Sequence, residues 1–230
     1  MLKTRIAVGD FLVNLQLFRG LDHGALRRLA AGATEIVVPR ETVVYRRGDP
    51  CCGLHVVVLG RIKLSLETDR GDEKVVELLG PGTSFGEAPM FLGEPHIVTA
   101  AAIADSKLLH IAKEAVLGEA ARNADFALRV IGHLSRRLCQ WIGELESCTL
   151  RSGTERVIDY LLCPELESTH NGMLRVTLPA KKGVIASRLN LTQEHFSRIL
   201  HELMARKLID VDGRTVYIPD ASRLRMQCVD

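Results

Sequence analysis

The stretch TQEHFSRILHEL, residues 192–203, alternates polar and apolar positions with the period of an α-helix. Four polar side chains share one face: Glu194, Ser197, Arg198 and His201. Four apolar side chains share the opposite face: Phe196, Ile199, Leu200 and Leu203. Thr192 can cap the first turn, because its hydroxyl accepts a hydrogen bond from a free backbone N–H. The stretch therefore predicts a helix with one face in a core and one in solvent.

The neighbouring segments predict a small domain of helices and a β-hairpin. A helix is expected at 155–163 and another at 182–189, the second followed by a tight turn that leads into the 192–203 helix. Downstream, LIDVDGRTVYI has the pattern of two short strands, because Asp212–Gly213 is a strong hairpin signal. Helix, turn, helix and hairpin in this order are typical of a winged helix-turn-helix, which we predict for residues 151–230.

In such a fold the second helix of the pair enters the DNA major groove and reads base edges. Arg198 can bond guanine through two hydrogen bonds, and Glu194 can accept from the amino group of cytosine or adenine. Ser197 is short enough to bond a base edge or a phosphate. The residues expected to hold the domain on backbone phosphates or in register are Lys181, Lys182, Thr192, Gln193 and His201.

The distribution of charge agrees with a nucleic-acid partner. Residues 175–207 contain seven Lys or Arg and two Glu, a net charge of +5, whereas residues 1–150 are neutral. A local basic excess beside an exposed polar helix is typical of nucleic-acid binding. The alternative is a solvated amphipathic helix in which Glu194 and Arg198 form an i,i+4 ion pair.

The N-terminal part, residues 1–122, predicts a short helix at 22–33 and then a series of strands. The strand-like runs are EIVVP, TVVYRRG, GLHVVVLGRIKLSLE, KVVELLG and HIVTAAAI. Glycine-containing turns separate them at near-regular spacing, which favours an antiparallel β-roll or barrel.

Residues 123–150 predict one long helix with a heptad-like apolar seam. The seam consists of Ile131, Leu134, Leu138, Trp141, Leu145 and Cys148. One apolar stripe can pack on the β-roll and another on a second copy of the chain, so we expect a homodimer. The alternative is a single helix that faces its own core and forms no dimer.

The whole chain resembles the CRP/FNR family of bacterial transcription regulators. The resemblance lies in the order of elements and in the stretches GLHVVVLGRIKL, GPGTSFGEAPMFLGEP and IASRLNLTQEHFSRILHEL. Glu194-His195-Phe196-Ser197-Arg198 resembles the FNR-type Glu-x-x-Ser-Arg signature. The resemblance implies an α+β fold, a dimer that binds double-stranded DNA, a palindrome with TTGAT or TTGAC half-sites, and RNA polymerase as a partner of an activator.

The resemblance also implies an effector pocket in the β-roll, formed by Gly86, Glu87, His96, Val98, Thr99 and Trp141. Cyclic-nucleotide members have an arginine for the cyclic phosphate, but this chain has His96-Ile97-Val98-Thr99 there. A phosphate without a cation would be poorly compensated, so cAMP is not expected. An iron–sulfur cluster is not expected either, because no cysteine precedes Cys51.

The closest resemblance is to regulators of dissimilatory nitrate respiration, which are thought to sense nitric oxide through haem. Haem is therefore a candidate cofactor, with His96 as the candidate ligand, and nitric oxide, redox state or another non-cAMP signal as the effector. Further candidate ligands are His23, His55, His110 and Met90.

Other classes of function have less support. The sequence has no P-loop, no Gly-x-Gly-x-x-Gly and no nucleophile–base or metal-ligand spacing, so catalysis is not expected. A ligand-binding module that regulates a partner protein is the alternative function. We expect a cytoplasmic protein without a membrane partner, because there is no secretory signal and no apolar run of about 18 residues.

Overall fold

The computed structural model describes residues 6–68, 71–163, 167–170 and 173–228. The chain forms two compact units, Met1–Gln140 and Trp141–Asp230. The boundary between the units falls inside the long helix, which contributes residues to both. The domain limits 1–122, 123–150 and 151–230 stay predictions.

The first unit contains two four-stranded antiparallel sheets, which confirms the β-roll and the α+β fold class. The first sheet has the order β1 (Ala33–Val38), β8 (Ser106–Ala112), β3 (Gly53–Leu59), β6 (Ser84–Phe85). The second sheet has the order β2 (Val43–Tyr45), β7 (Thr99–Ala102), β4 (Ile62–Glu67), β5 (Glu73–Leu79).

Five helices accompany the sheets: α1 (Val8–Val13), α2 (His23–Ala31), α3 (Glu87–Leu92), α4 (Lys113–Arg122) and α5 (Ala124–Leu150). Helix α2 was predicted at 22–33. It begins after Asp22, whose carboxylate accepts a hydrogen bond of 2.8 Å from the backbone N–H of Ala25. Helix α5 has 27 residues and lies within the predicted range 123–150.

Alternation along the central strands divides the apolar side chains between two cores. In β3 the side chains of Leu54 and Val56 pack towards the helices, whereas Val57 packs between the sheets. In β8 Leu109 packs with the helices and Leu108 between the sheets. Both strands are buried on both faces, which explains why their sequences are nearly continuous apolar runs.

Four elements of this unit were not predicted: α1, β6, β8 and α3. Strand β8 has the sequence SKLLHIA, which reads equally well as the start of the following helix because a short apolar run has no distinctive period. Strand β6 has two residues, and α3 has six residues including Pro89. Elements this short are stabilised by the packing around them and not by their own sequence.

The second unit is a winged helix-turn-helix, as predicted. Its helices are α6 (Gly153–Leu161), α7 (Lys182–Arg188), α8 (Gln193–Ala205) and α9 (Ala221–Arg225), and a 3₁₀ turn follows at Met226–Cys228. Its antiparallel sheet has the order β11 (Asp210–Asp212), β12 (Thr215–Ile218), β10 (Met173–Thr177), β9 (Glu167–His170). Strand β9 was not predicted.

Three described residues of this unit have positive φ and lie in turns: Asn190, Lys207 and Gly213. Asn190 ends α7 with φ +57°, a conformation that asparagine adopts more readily than most residues. The backbone N–H of Leu191 then bonds the carbonyl of Ala186 at 2.9 Å, which closes the turn before α8. In the hairpin, Gly213 has φ +58°, and the central residues are Gly213 and Arg214, one position later than predicted.

A group of aromatic rings lies inside the β-roll around His55. His55 lies directly opposite His110 in β8 and opposite Phe85 in β6, with ring centroids 4.7 and 5.2 Å away. The Tyr45 ring centroid is 5.8 Å from His55. Burial, together with the charges of His110 and His96, lowers the pKa of His55 to about 3.

This depressed pKa predicts acid sensitivity of the fold. Below the ordinary histidine pKa of about 6.5 the unfolded chain binds a proton at His55 and the folded chain does not, so stability falls as pH falls. For one such group the loss between pH 7 and pH 5 is about 1–2 kcal/mol. His55→Phe should therefore flatten the pH dependence of the urea midpoint, measured by circular dichroism.

The matched control is His23→Gln, because His23 is exposed at the start of α2. It should leave the pH dependence unchanged. A slope that persists in His55→Phe at the wild-type value would show that His55 remains protonatable in the folded chain.

Candidate nucleic-acid interface and sensing pocket

Helix α8 has the two predicted faces. The side-chain oxygen of Thr192 accepts a hydrogen bond of 3.2 Å from the backbone N–H of His195, which confirms the cap. The apolar residues are each at most 2 % exposed: Phe196, Ile199, Leu200 and Leu203. Because that face is anchored in the core, the first turn and the polar face are held in a fixed orientation.

The polar face is open to solvent. Glu194, Arg198 and His201 are exposed, and Ser197 is half-buried. Arg198 lies 3.9 Å from Glu202, with both side chains more than 60 % exposed. Such an exposed pair contributes about 0.3–0.5 kcal/mol and leaves the guanidinium available. Within the described chain the partner of Arg198 is thus Glu202, and the Glu194–Arg198 pair of the alternative hypothesis does not form.

The residues predicted to contact phosphates lie at the N-terminal ends of α7 and α8. Lys181 is exposed at the position before α7, and Lys182 is half-buried as the first residue of that helix. Gln193 packs closely on α7, since its side-chain oxygen is 2.6 Å from the position that a Cβ would take on Gly183. Both helix N-termini carry a partial positive charge that attracts phosphate.

The predicted effector pocket contains a buried carboxylate, Glu87, which is 3 % exposed at the start of α3. Arg137 of α5 donates to Glu87 at 2.8 Å and to the backbone carbonyl of Ser84 at 2.9 Å. Nε2 of His133 lies 3.1 Å from the same carboxylate oxygen. A second nitrogen of Arg137 forms an ion pair with Glu77.

These contacts decide the protonation of Glu87. Burial alone would raise the pKa of Glu87, but the hydrogen bond from His133 and the charge of Arg137 outweigh burial and hold the pKa below its ordinary value. Glu87 is therefore ionised, and one of its two oxygens is already engaged by groups of the protein itself.

Sequence reasoning missed His133 and Arg137 as members of this pocket. Their i,i+4 spacing on a predicted helix places two cationic or proton-donating side chains on one face, and that signal was available. The spacing does not identify the partner, because Glu87 is 50 residues away along the chain from Arg137.

The other predicted pocket residues are placed as follows. His96 is 4 % exposed and stacks on Tyr45 with ring centroids 3.5 Å apart. It lies close to Gly86, because a Cβ on Gly86 would be 3.5 Å from its ring. The Thr99 hydroxyl accepts a hydrogen bond of 3.2 Å from a backbone N–H, and Val98 packs against the core between the sheets.

Trp141 belongs to the second unit, where its side chain is 38 % exposed. In the described residues no group of three or more His, Cys, Asp or Glu side chains is arranged to hold a metal ion. Burial lowers the pKa of His96, with Asp49 opposing this effect, so its ring is kept neutral. A neutral imidazole is the form in which a histidine can ligate a metal. Met90, another predicted candidate ligand, is fully buried in the apolar core of the first unit.

Helix α5 carries two apolar stripes. Phe126 and Val130 are buried in the core of the first unit, and Leu134 packs partly buried against the same core. Leu134, which is predicted on the dimer seam, is partly buried against the core of its own unit, and its place in a dimer stays a prediction. A second stripe is exposed: Leu128, Ile131, Leu138, Trp141, Ile142, Leu145 and Leu150. Cys148 is half-buried.

Comparison with known proteins agrees with both units. The cyclic nucleotide-binding domain family matches residues 35–123, and the Crp-like helix-turn-helix domain family matches residues 155–226. DNR from Pseudomonas aeruginosa is 31 % identical over 97 % of this chain and 99 % of its own, with a TM-score of 0.53. The chain belongs to the CRP/FNR family.

Other members of the CRP/FNR family match over most of the chain. A CRP-like cAMP-activated global transcriptional regulator of Mycobacterium tuberculosis is 24 % identical over 94 % of this chain and 97 % of its own. FixK2 from Bradyrhizobium japonicum shares the fold, with a TM-score of 0.75 at 23 % identity, over 84 % of this chain and 96 % of its own. The protein is thus a CRP-like DNA-binding transcription regulator. None of its described helices has the length and apolar character needed to span a membrane.

The Glu87 contacts predict a strong effect of removing Arg137. Arg137→Met should destabilise the fold by about 3 kcal/mol, because it leaves a buried carboxylate without its cation. The double variant Glu87→Gln/Arg137→Met should recover part of that loss. The measurement is the free energy of unfolding in urea.

Arg136→Met is the matched control, since Arg136 is the exposed neighbour on the same helix. If Arg137→Met and Arg136→Met lower the free energy of unfolding equally, Arg137 does not stabilise the buried carboxylate of Glu87.

Proposed function

We propose that the protein is a homodimeric, effector-gated regulator that reads a palindrome with TTGAT-like or TTGAC-like half-sites. The observation that supports this most directly is helix α8, which presents Glu194, Ser197 and Arg198 on an open face anchored by a buried one. Arg198 would read guanine, Glu194 an amino group of cytosine or adenine, and Ser197 a base edge or phosphate. Lys181, Lys182, Thr192, Gln193 and His201 would hold the register on the duplex.

The dimer would form through the exposed stripe of α5. Seven large apolar side chains are exposed along this helix, and a monomer rarely leaves such a continuous apolar surface in water. Pairing two copies through Ile131, Leu138, Trp141 and Leu145 would bury it and would place two recognition helices on one duplex. The protein would act in the cytoplasm, and RNA polymerase would be its protein partner at a promoter.

The effector would be a signal other than cAMP. In the pocket Glu87 is already bonded to Arg137 and His133, and residues 96–99 supply no arginine for a cyclic phosphate. Nitric oxide bound to haem is the candidate that the resemblance to regulators of dissimilatory nitrate respiration implies, and His96 would then be the iron ligand. Haem would supply the gas-binding iron, and the buried, neutral imidazole of His96 would hold it. Effector binding would shift the population of dimer-helix arrangements and thereby the operator affinity.

Replacement of Arg198 tests whether this side chain contributes to sequence-specific DNA binding. Arg198→Ala should lose about 1–3 kcal/mol of discrimination between the palindrome and a scrambled duplex, while non-specific, salt-sensitive binding remains. Lys181→Ala is the contrasting variant: it should weaken binding to both duplexes alike. Fluorescence anisotropy at several salt concentrations measures both effects. Full discrimination retained by Arg198→Ala would rule out this reading of α8.

Two measurements on the purified protein test the effector. Operator affinity should not change when cAMP is added, because the pocket lacks a cation for the phosphate. Protein expressed with haem supplied should show a stoichiometric Soret band that shifts with nitric oxide and is lost in His96→Ala. Val98→Ala, a change in the same segment without a ligand atom, serves as the control. Haem is ruled out if no band is found, and a cAMP-dependent gain in affinity would contradict the non-cAMP assignment.

A further inference from the structure

A bidentate ion pair joins the C-terminal part of α5 to the first helix of the helix-turn-helix. Arg188 lies at the end of α7, and each of its two terminal guanidinium nitrogens donates to a different carboxylate oxygen of Glu144. The hydrogen bond from Nη1 to Oε2 is 2.8 Å long. The two side chains are 22 % and 36 % exposed, so the pair is partly shielded from water. Two parallel hydrogen bonds fix the relative orientation of the two groups as well as their distance.

A second arginine connects the same two parts of this unit. Arg156 of α6 donates to the backbone carbonyl of Cys148 at 2.9 Å and to that of Arg151 at 3.3 Å. Its other terminal nitrogen lies 3.5 Å from the carbonyl of Asn190, in the turn between α7 and α8. A guanidinium at the C-terminal end of α5 also interacts favourably with the free carbonyls and the helix dipole there.

These two contacts hold α7 and the turn against residues 141–150 of α5. The connection between α5 and α6 is only two residues long, Arg151 and Ser152, and Ser152 caps α6 in a reciprocal capping box with Glu155. Helix α8 follows the turn directly and packs on α7. Arg188 and Arg156 therefore help to fix the orientation of the recognition helix relative to the end of α5.

We propose that the Glu144–Arg188 pair is a positioning element that sets which half-site spacing the protein accepts. The proposal rests on the proposed function, since it requires a dimer paired through α5 that reads two half-sites. In such a dimer, each recognition helix must point from its α5 helix into a major groove about one helical turn from the other. Without the Glu144–Arg188 pair, α7 and α8 could reorient relative to the end of α5. Operators with other half-site spacings would then bind more tightly, and the difference in affinity between the best spacing and the others would shrink.

This assignment also changes the role of Arg188. Arg188 is one of the seven basic residues of the 175–207 segment, but its charge is neutralised by Glu144. Removing it should therefore change the preference for spacing and have little effect on the binding of one isolated half-site.

The test measures affinities for labelled palindromes whose half-site centres are about 8 to 12 base pairs apart, and for a duplex with one half-site. The wild-type protein should favour one spacing by about tenfold or more, because a wrong spacing prevents simultaneous engagement. Arg188→Gln and Glu144→Gln should flatten this profile at unchanged half-site affinity. The charge-reversed double variant Glu144→Arg/Arg188→Glu should restore it.

Arg223→Gln is the control, because it removes the same charge from an exposed position in α9 and should keep the wild-type profile. If Arg188→Gln weakens binding to all spacings by the same factor, the positioning role is wrong while the proposed function stands. A flat profile for the wild-type protein would overturn both.

Discussion

The carboxylate of Glu87 is buried, and a buried charge is stable only when charged or hydrogen-bonding groups surround it. The groups that do so come from α5: Arg137 and His133. This requirement fixes one face of the N-terminal part of α5 on the roll, beside the apolar contacts of Phe126 and Val130. The acidic residue that the family resemblance assigns to the effector pocket is thus bonded to a helix of its own unit.

Because one face of α5 is fixed on the β-roll, the other face of this helix is left exposed. The apolar stripe with Ile131 and Leu138 is exposed because the face with Phe126 and Val130 is already occupied by the core. The heptad-like pattern of the sequence includes apolar residues of both stripes and does not separate them. Leu134 shows this directly, because it has the spacing of a seam residue and yet contacts its own core.

Locally encoded features were predictable from the sequence. Helices α5 and α8 and the hairpin depend on periodicity, on the Thr192 cap and on the Gly213 turn, all of which are read from adjacent residues. Strands β6 and β8 and helix α3 were missed, because long-range packing and not local sequence decides them. The same distinction applies to the sites: the α8 face follows from spacing alone, whereas the partner of Glu87 depends on tertiary folding.

Charge shows the limit of sequence counting most clearly. Arg188 and Arg198 are ten residues apart in one basic segment and contribute equally to its net charge. In the fold, Arg188 is held by both carboxylate oxygens of Glu144, whereas Arg198 has only a distant, exposed neighbour in Glu202. A guanidinium already bonded through its fork is not available to a base or phosphate, and one that is solvated is. Of these two arginines, Arg198 therefore presents its guanidinium to solvent, where DNA could bond it, whereas the guanidinium of Arg188 is held inside its own unit.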